Sequence, residues 1–192
     1  IEDVIFGCVS QIGPQTFNVA RTAVLASNLP IEVPGVTVDR QCGSGQQAIH
    51  FAAQAVMSGN QDMIIAGGVE NMSMTPIGSP LLVASKAGMR TPFDGEAISS
   101  RYPGVEFSQF VGAERMAEKY AVSRDDLDHF AYQSHVKGAA AYDDNRFDRE
   151  IIPMTVEVEG QKVVHDVDEG LRRNATLEAI QGLEPLQEGG LI

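Results

Sequence analysis

TVDRQCGSGQQAIHFAAQ, residues 37–54, changes character at one position: a short β-prone run ends, a cysteine appears at Cys42, and a helix begins behind Gly43 and Gly45. Apolar residues recur at Ala48, Ile49, Ala52, Ala55 and Val56 with helical spacing, and Gly59 supplies a stop at the C′ position. Upstream, Val4–Val9 reads as a buried strand and Phe17–Leu29 as a helix. Pro30 and Pro34 then break the chain before a second strand at Val36–Val38. Downstream, Met63–Ala66 is an apolar strand ending in Gly67 and Gly68. These elements make a βαβ unit, so the class is α/β and a parallel sheet is implied.

The texture changes near Ile77. Gly, Pro and Ser punctuate the chain to about Gly104, which reads as a long irregular insertion. Two helices follow at Val111–Tyr120 and Arg124–Tyr142. Ser123 is the expected N-cap of the second, and Leu127, Phe130, Ala131 and Ser134 its inner face. Thr155–Glu159 and Lys162–Val167 read as a hairpin around Gly160. No internal repeat is visible.

The 192 residues suffice for a domain with its own core. A net charge of −12 argues against a nucleic-acid partner, whose phosphates call for a basic face, so any anionic ligand must be met locally. There is no apolar run long enough for a membrane span, no signal peptide and no paired Cys/His spacing for a metal. Only Cys8 and Cys42 are present, which points to a reducing, cytoplasmic setting rather than a disulfide. Neither a Walker loop nor a GxGxxG fingerprint occurs.

In an open α/β sheet, ligands gather beyond the carboxyl ends of the strands, where helix N-termini offer free amides. Cys42 lies at such a junction. A helix N-terminus favours a thiolate, and the Cys42 amide is placed to donate to a developing oxyanion. Free cysteine is equally at home as a small buried hydrophobe, which is the natural reading of Cys8 inside its apolar strand. Position alone leaves Cys42 between these two roles. A cysteine nucleophile needs a base, and none is at hand: His50 is on the same helix about 12 Å along it, while nothing in the sequence aims His129, His135 or His165 at the thiol.

VDRQCGSGQQAI (38–49) followed by IIAGGVENMS (64–73) resembles the thiolase family around its acyl-accepting cysteine and the glycine-rich strand end behind it. SRDDLDHFAYQSH (123–135), FDREIIP (147–153) and RNATLEAIQGLEPLQEGGLI (173–192) resemble the same family's loop domain and the sequence leaving it, so the likeness spans the chain. The resemblance implies a thiolase-like fold: an N-terminal βαβ-containing half with a mixed sheet over residues 1–76, and an inserted α+β loop domain with its exit segment over 77–192. It implies acyl transfer between a 3-ketoacyl-CoA and CoA through an acyl-enzyme on Cys42, in the thiolytic or the condensing direction. Coenzyme A is then a substrate, with no permanently bound cofactor and no metal.

Several further expectations follow from the resemblance. The family's first strand and helix would precede Ile1. Its Gly-His-Pro histidine, Asn-Glu-Ala-Phe segment and second, acid/base cysteine would follow Ile192, which accounts for the missing base and makes this chain alone inactive. Arg172 falls where the family lines the CoA nucleotide, although Arg172 and Arg173 read equally as two solvated arginines. Lys86, Arg90 and Arg101 are other cations in irregular segments. Ser108 and Gln109 align with a His-Met pair beside the pantetheine in biosynthetic members, and their substitution implies a different acyl preference. Gly67, Gly68 and Glu70–Ser73 would shape the strand end near Cys42. The full-length protein is expected to be a homodimer or homotetramer. Two alternatives stand beside this reading: a CoA-binding or dimerising module without catalysis, and a cysteine α/β hydrolase, against which Arg40 occupies a position where the nucleophile elbow wants a small residue.

Overall fold

The computed structural model describes all 192 residues, in two compact units, Ile1–Pro103 and Gly104–Ile192. The segment that follows residue 77 groups with the first unit as far as Pro103.

In the first unit β1 (Asp3–Gly7) is the central strand of a three-stranded sheet, flanked by β2 (Gly35–Val38) and β3 (Ile64–Gly68). Both pairings are parallel, Val4 opposite Gly35 and Ile65, Gly7 opposite Val38 and Gly68. The antiparallel component of the expected mixed sheet is therefore not formed by these strands. Alternation along β1 sends successive side chains to opposite faces. Val4 packs with Ala20, Val24 and Val33 against α1 (Val19–Ala26), and Ile5 with Ala48 and Ala52 against α2 (Ser44–Met57). Burial on both faces is why this segment is continuously apolar.

Two expected boundaries move for identifiable reasons. The first helix starts at Val19 rather than Phe17, because Asn18 caps it: Asn18 Oδ1 accepts from the Arg21 amide at 3.0 Å, while its Nδ2 donates to Gly35 O at 2.7 Å and so ties α1 to β2. Phe17 is left at φ 61 and exposed. At its other end the helix stops at Ala26, where the Ser27 amide and hydroxyl both donate to Val24 O. Gly59 behaves as expected, with φ +71 just past α2. The segment expected to be irregular contains α3 (Ser79–Lys86), a 3-10 turn at Pro92–Asp94 and α4 (Glu96–Arg101). Their shortness and their proline and glycine starts hide helical periodicity.

The second unit holds α5 (Gln109–Lys119), α6 (Arg124–Asp143), the antiparallel hairpin β4 (Met154–Val158) with β5 (Gln161–His165), and α7 (Leu177–Gln181). Ser123 and Asp126 close a capping box at the start of α6. The expected inner face of α6 needs correction. Phe130 is 78% exposed, and the buried residue is Asp128, which holds Arg124 Nε at 2.7 Å while Arg124 Nη2 donates to the Ile180 and Leu183 carbonyls. That polar tie, which hydrophobic periodicity cannot register, joins α6 to α7. No helix of the chain is long and apolar enough to cross a membrane.

Candidate active site

The β2–α2 connection is held by one small buried side chain. Ser44 Oγ accepts from the Arg40 amide at 2.9 Å and donates to Gln41 O at 2.6 Å, while the Gly43 and Ser44 amides return to Arg40 O and Gln41 O. Gln41 is forced to φ 49, steadied by Asp39 Oδ1 on its own amide at 2.7 Å. Cys42 therefore sits on the outside of a closed turn, exposed, immediately before the N-cap Gly43 of α2. The Gly45 and Gln46 amides stand next in line at the open end of the helix.

The turn is seated against the sheet by absence of side chain. A Cβ on Gly7 would lie 2.5 Å from the Gly45 amide nitrogen and overlap the Ser44 carbonyl carbon, and one on Gly68 would lie 2.8 Å from Gly7 O. Gly7 and Gly68 are register partners. The carboxyl ends of β1 and β3 thus approach each other and the start of α2 as bare backbone. Gly67, by contrast, would meet only the Phe6 ring at ordinary contact distance.

A cleft of about 550 Å³ opens at this junction, bounded by Gly7–Ser10, by Gln41, Cys42, Ser44 and Gly45, and by Gly68–Glu70 with Met72 and Ile77. Both cysteines border it. Cys8 is 1% exposed, and burial, reinforced by the Glu70 and Asp39 charges, pushes its thiol up from the ordinary range. One thiol is thus accessible and the other packed. The wall behind Cys8 is polar: Gln15 and Glu70 meet there, and burial of the Glu70 carboxyl is outweighed by hydrogen bonds from Val9, Gln15 and Ser10, which hold it below the usual carboxylate range. Sequence reasoning singled out Glu70 but missed Ser44, Gly7 and Gln15. The only advance signal for Ser44 was a small hydroxyl at the first turn of a helix.

No imidazole of the first unit approaches the cleft, since His50 points from the exposed side of α2. In the second unit His129 is engaged by Asp125, His135 Nδ1 accepts from the Arg172 amide at 3.3 Å, and His165 lies 3.9 Å from Glu169. Ser108 is the N-cap of α5, accepting from the Val111 amide, and Gln109 is the exposed first residue of that helix. The two arginines differ. Arg173 is committed to Asp143 at 2.7 Å and lies 5.2 Å over the Tyr142 ring, whereas the exposed Arg172 guanidinium is left available. The second unit therefore presents Ser108, Gln109 and Arg172, and the first presents Cys42.

Residues 1–190 match the family of the thiolase N-terminal domain. A steroid 3-ketoacyl-CoA thiolase of Mycobacterium tuberculosis is 49% identical over 99% of this chain and 46% of its own length. A beta-ketoadipyl-CoA thiolase of Acinetobacter baylyi is 37% identical over 96% of this chain and 48% of its own. The crystal structure of the Bacillus anthracis acetyl-CoA acetyltransferase superposes on the whole chain with a TM-score of 0.80 at 30% identity, over 49% of that protein. The chain spans about half the length of the relatives it matches. The chain, with its α/β unit around Cys42, belongs to the thiolase family, as its N-terminal domain.

Proposed function

We propose that this chain carries the acyl-accepting half of a thiolase, with Cys42 as the nucleophile. The observation that supports this most directly is the exposed Cys42 thiol on a Ser44-closed turn at the start of α2, facing a cleft that its buried neighbour Cys8 also borders. In thiolysis Cys42 Sγ bonds the 3-keto carbon of a 3-ketoacyl-CoA and the C2–C3 bond breaks. The departing acetyl-CoA carbanion takes up a proton, and the thiol of a second CoA then displaces the acyl group from Cys42, returning the thiolate. The same steps reversed give condensation. The proton transfers call for acid/base groups, each typically contributing about 10²–10⁴-fold; of the titratable groups beside Cys42 in the cleft, Glu70 has both oxygens engaged by donors and Cys8 is buried. We assign them to the rest of the full-length protein and expect the 192-residue chain alone not to turn over.

The relative at 49% identity is named for steroid 3-ketoacyl-CoA, which makes a steroid-derived acyl chain the first substrate to assay. The test of the nucleophile is peptide mass mapping of the full-length protein after incubation with acetyl-CoA. Acetyl on Cys42 and none on Cys8 is expected; label on Cys8, or none on Cys42, overturns the assignment.

For CoA itself Arg172 is the better of the two loop arginines, because Arg173 is occupied by Asp143. A guanidinium both stacks on adenine and donates to phosphate in a fixed fork. Arg172→Ala should raise KM for CoA by the equivalent of about 1–3 kcal/mol, with a weaker salt dependence than the parent. Unchanged CoA kinetics at low and high salt would return Arg172 to the solvated surface.

A further inference from the structure

Gln15 is 5% exposed and is the most connected side chain near the cleft. Its Nε2 donates to Ser10 O at 2.9 Å and Glu70 Oε1 at 2.9 Å, and lies 3.6 Å from Cys8 Sγ; its Oε1 accepts from the Asn71 amide at 2.7 Å. Nitrogen faces only acceptors and oxygen only a donor, so the amide fits one way round. Glu70 completes the ring. Oε2 accepts from the Val9 amide at 2.8 Å, and the Ser10 amide is shared between Oε1 and Oε2 at 3.3 and 3.4 Å. Two chain segments that leave β1 and β3 separately, Cys8–Ser10 and Val69–Asn71, are thereby locked together. Both border the cleft that Cys42 faces.

The same geometry separates two roles for Glu70. A base for the Cys42 thiol must offer it an unoccupied oxygen, yet both carboxylate oxygens are already loaded with donors and neither bonds Cys42. We infer that Gln15 and Glu70 are positioning residues: a clamp that fixes the Cys8–Ser10 wall of the Cys42 cleft and governs acylation through geometry. This rests on the acyl-transfer reading given above. Misplacing a wall by a fraction of an ångström disfavours a bulky, oriented thioester far more than a small, unoriented reagent.

The clamp also has a pH signature. The donors that hold Glu70 ionised include Gln15, and the titratable group facing it is the Cys8 thiol. A carboxylate held low stabilises the clamped form at neutral pH and releases it as pH falls through its folded value. Removing the Gln15 donor moves that release to higher pH.

The test uses the full-length protein and the variants Gln15→Leu and Glu70→Gln, the latter placing an amide NH₂ where only acceptors fit. Cys42 acetylation by acetyl-CoA should fall by more than about tenfold in both, while alkylation of Cys42 by iodoacetamide stays within about twofold. Cys8, buried in the parent and expected to be unreactive there, should become alkylated. In Gln15→Leu the acid limb of the acetylation rate should move to higher pH. Unchanged acetylation in either folded variant overturns the clamp, and so does a parallel loss of acetylation and Cys42 alkylation, which marks Glu70 as an activating base. Where a variant fails to fold, hydrogen exchange in the unaltered protein decides: slow exchange at the Val9, Ser10 and Asn71 amides is required, and fast exchange rejects the clamp. If the parent is not acetylated on Cys42, the acyl-transfer reading falls by itself, and the Cys8 alkylation contrast still judges the clamp.

Discussion

The turn that presents Cys42 and the turn that joins β4 to β5 both use left-handed backbone, and they are held by opposite means. In the hairpin, Glu159 and Gly160 take φ 51 and φ 77 in succession, the pattern that matches strand twist, and a Cβ on Gly160 would meet nothing within 4 Å. Every residue of β5 is exposed. At the cysteine, Gln41 takes φ 49 without glycine's freedom, because Ser44, Asp39 and the bare backbone of Gly7 leave it no other course. One turn is specified by its own two residues and the other by its surroundings. Only the second kind fixes a side chain relative to a sheet, and it is the one that carries the reactive thiol.

The comparison breaks most easily at Gly7. Its Cβ space is filled by the backbone of Ser44 and Gly45, which cannot swing aside as a side chain would. Gly7→Ala should cost about 3 kcal/mol of stability and displace Cys42 with the whole N-terminus of α2. Gly45→Ala, two residues past Gly43 in the same helix with nothing within 4 Å of its Cβ position, should be neutral or stabilising by up to about 1 kcal/mol. Urea unfolding of the two variants in the full-length protein, with the rate of Cys42 alkylation, makes the contrast. Equal effects would mean that the sheet end and the helix are not in the close register described here.

Next in size is Ser44→Ala. It strips the partner from the Arg40 amide and the Gln41 carbonyl at a position that is 4% exposed, and a buried group left unpaired costs about 1–3 kcal/mol. The loss should concentrate on chemistry more than on fold: a loosened turn lets Cys42 leave the cleft while α2 stays packed through Ala48 and Ala52. The expected pattern is a loss of Cys42 acetylation larger than the fall in urea midpoint accounts for, and hydrogen exchange at Gly43 and Ser44 should quicken. A large fall in midpoint with unchanged acetylation would show Ser44 to be a packing residue only.

How much of this was legible in the sequence follows the same division. Elements specified by local residue type were readable: the Ser123 cap, the Gly59 stop, the Gly160 turn and the apolar faces that place β1 between α1 and α2. The thiol at the strand–helix junction was readable for the same reason, since a cysteine before two glycines at a change of period is a local pattern. What was not readable depends on polar groups meeting across long stretches of chain. Gln15 reaches Glu70, Asn71 and Ser10, and Arg124 reaches Ile180 and Leu183. Hydrophobic periodicity records which face a residue takes and is silent on which distant carbonyl it will meet. The same blindness put Phe130 inside α6 and left Asp128 out.

The smallest expected effects come from exchanging the two kinds of turn residue. Gly160→Ala keeps open space around the new methyl group but puts it at φ 77, so the cost should be about 1 kcal/mol and confined to β4 and β5. Hydrogen exchange should quicken between Met154 and His165, and Cys42 acetylation should not change. Gln41→Gly goes the other way. It relieves the left-handed residue but removes the Gln41–Asp39 side-chain contact and enlarges the freedom of the unfolded chain, so stability should move by less than about 1 kcal/mol in either direction. Because Ser44 and Gly7 still close the turn, acetylation of Cys42 should survive Gln41→Gly nearly intact. Strong loss there, with Ser44→Ala harmless, would invert the comparison and make the Cys42 turn, like the hairpin, a structure specified by its own residues.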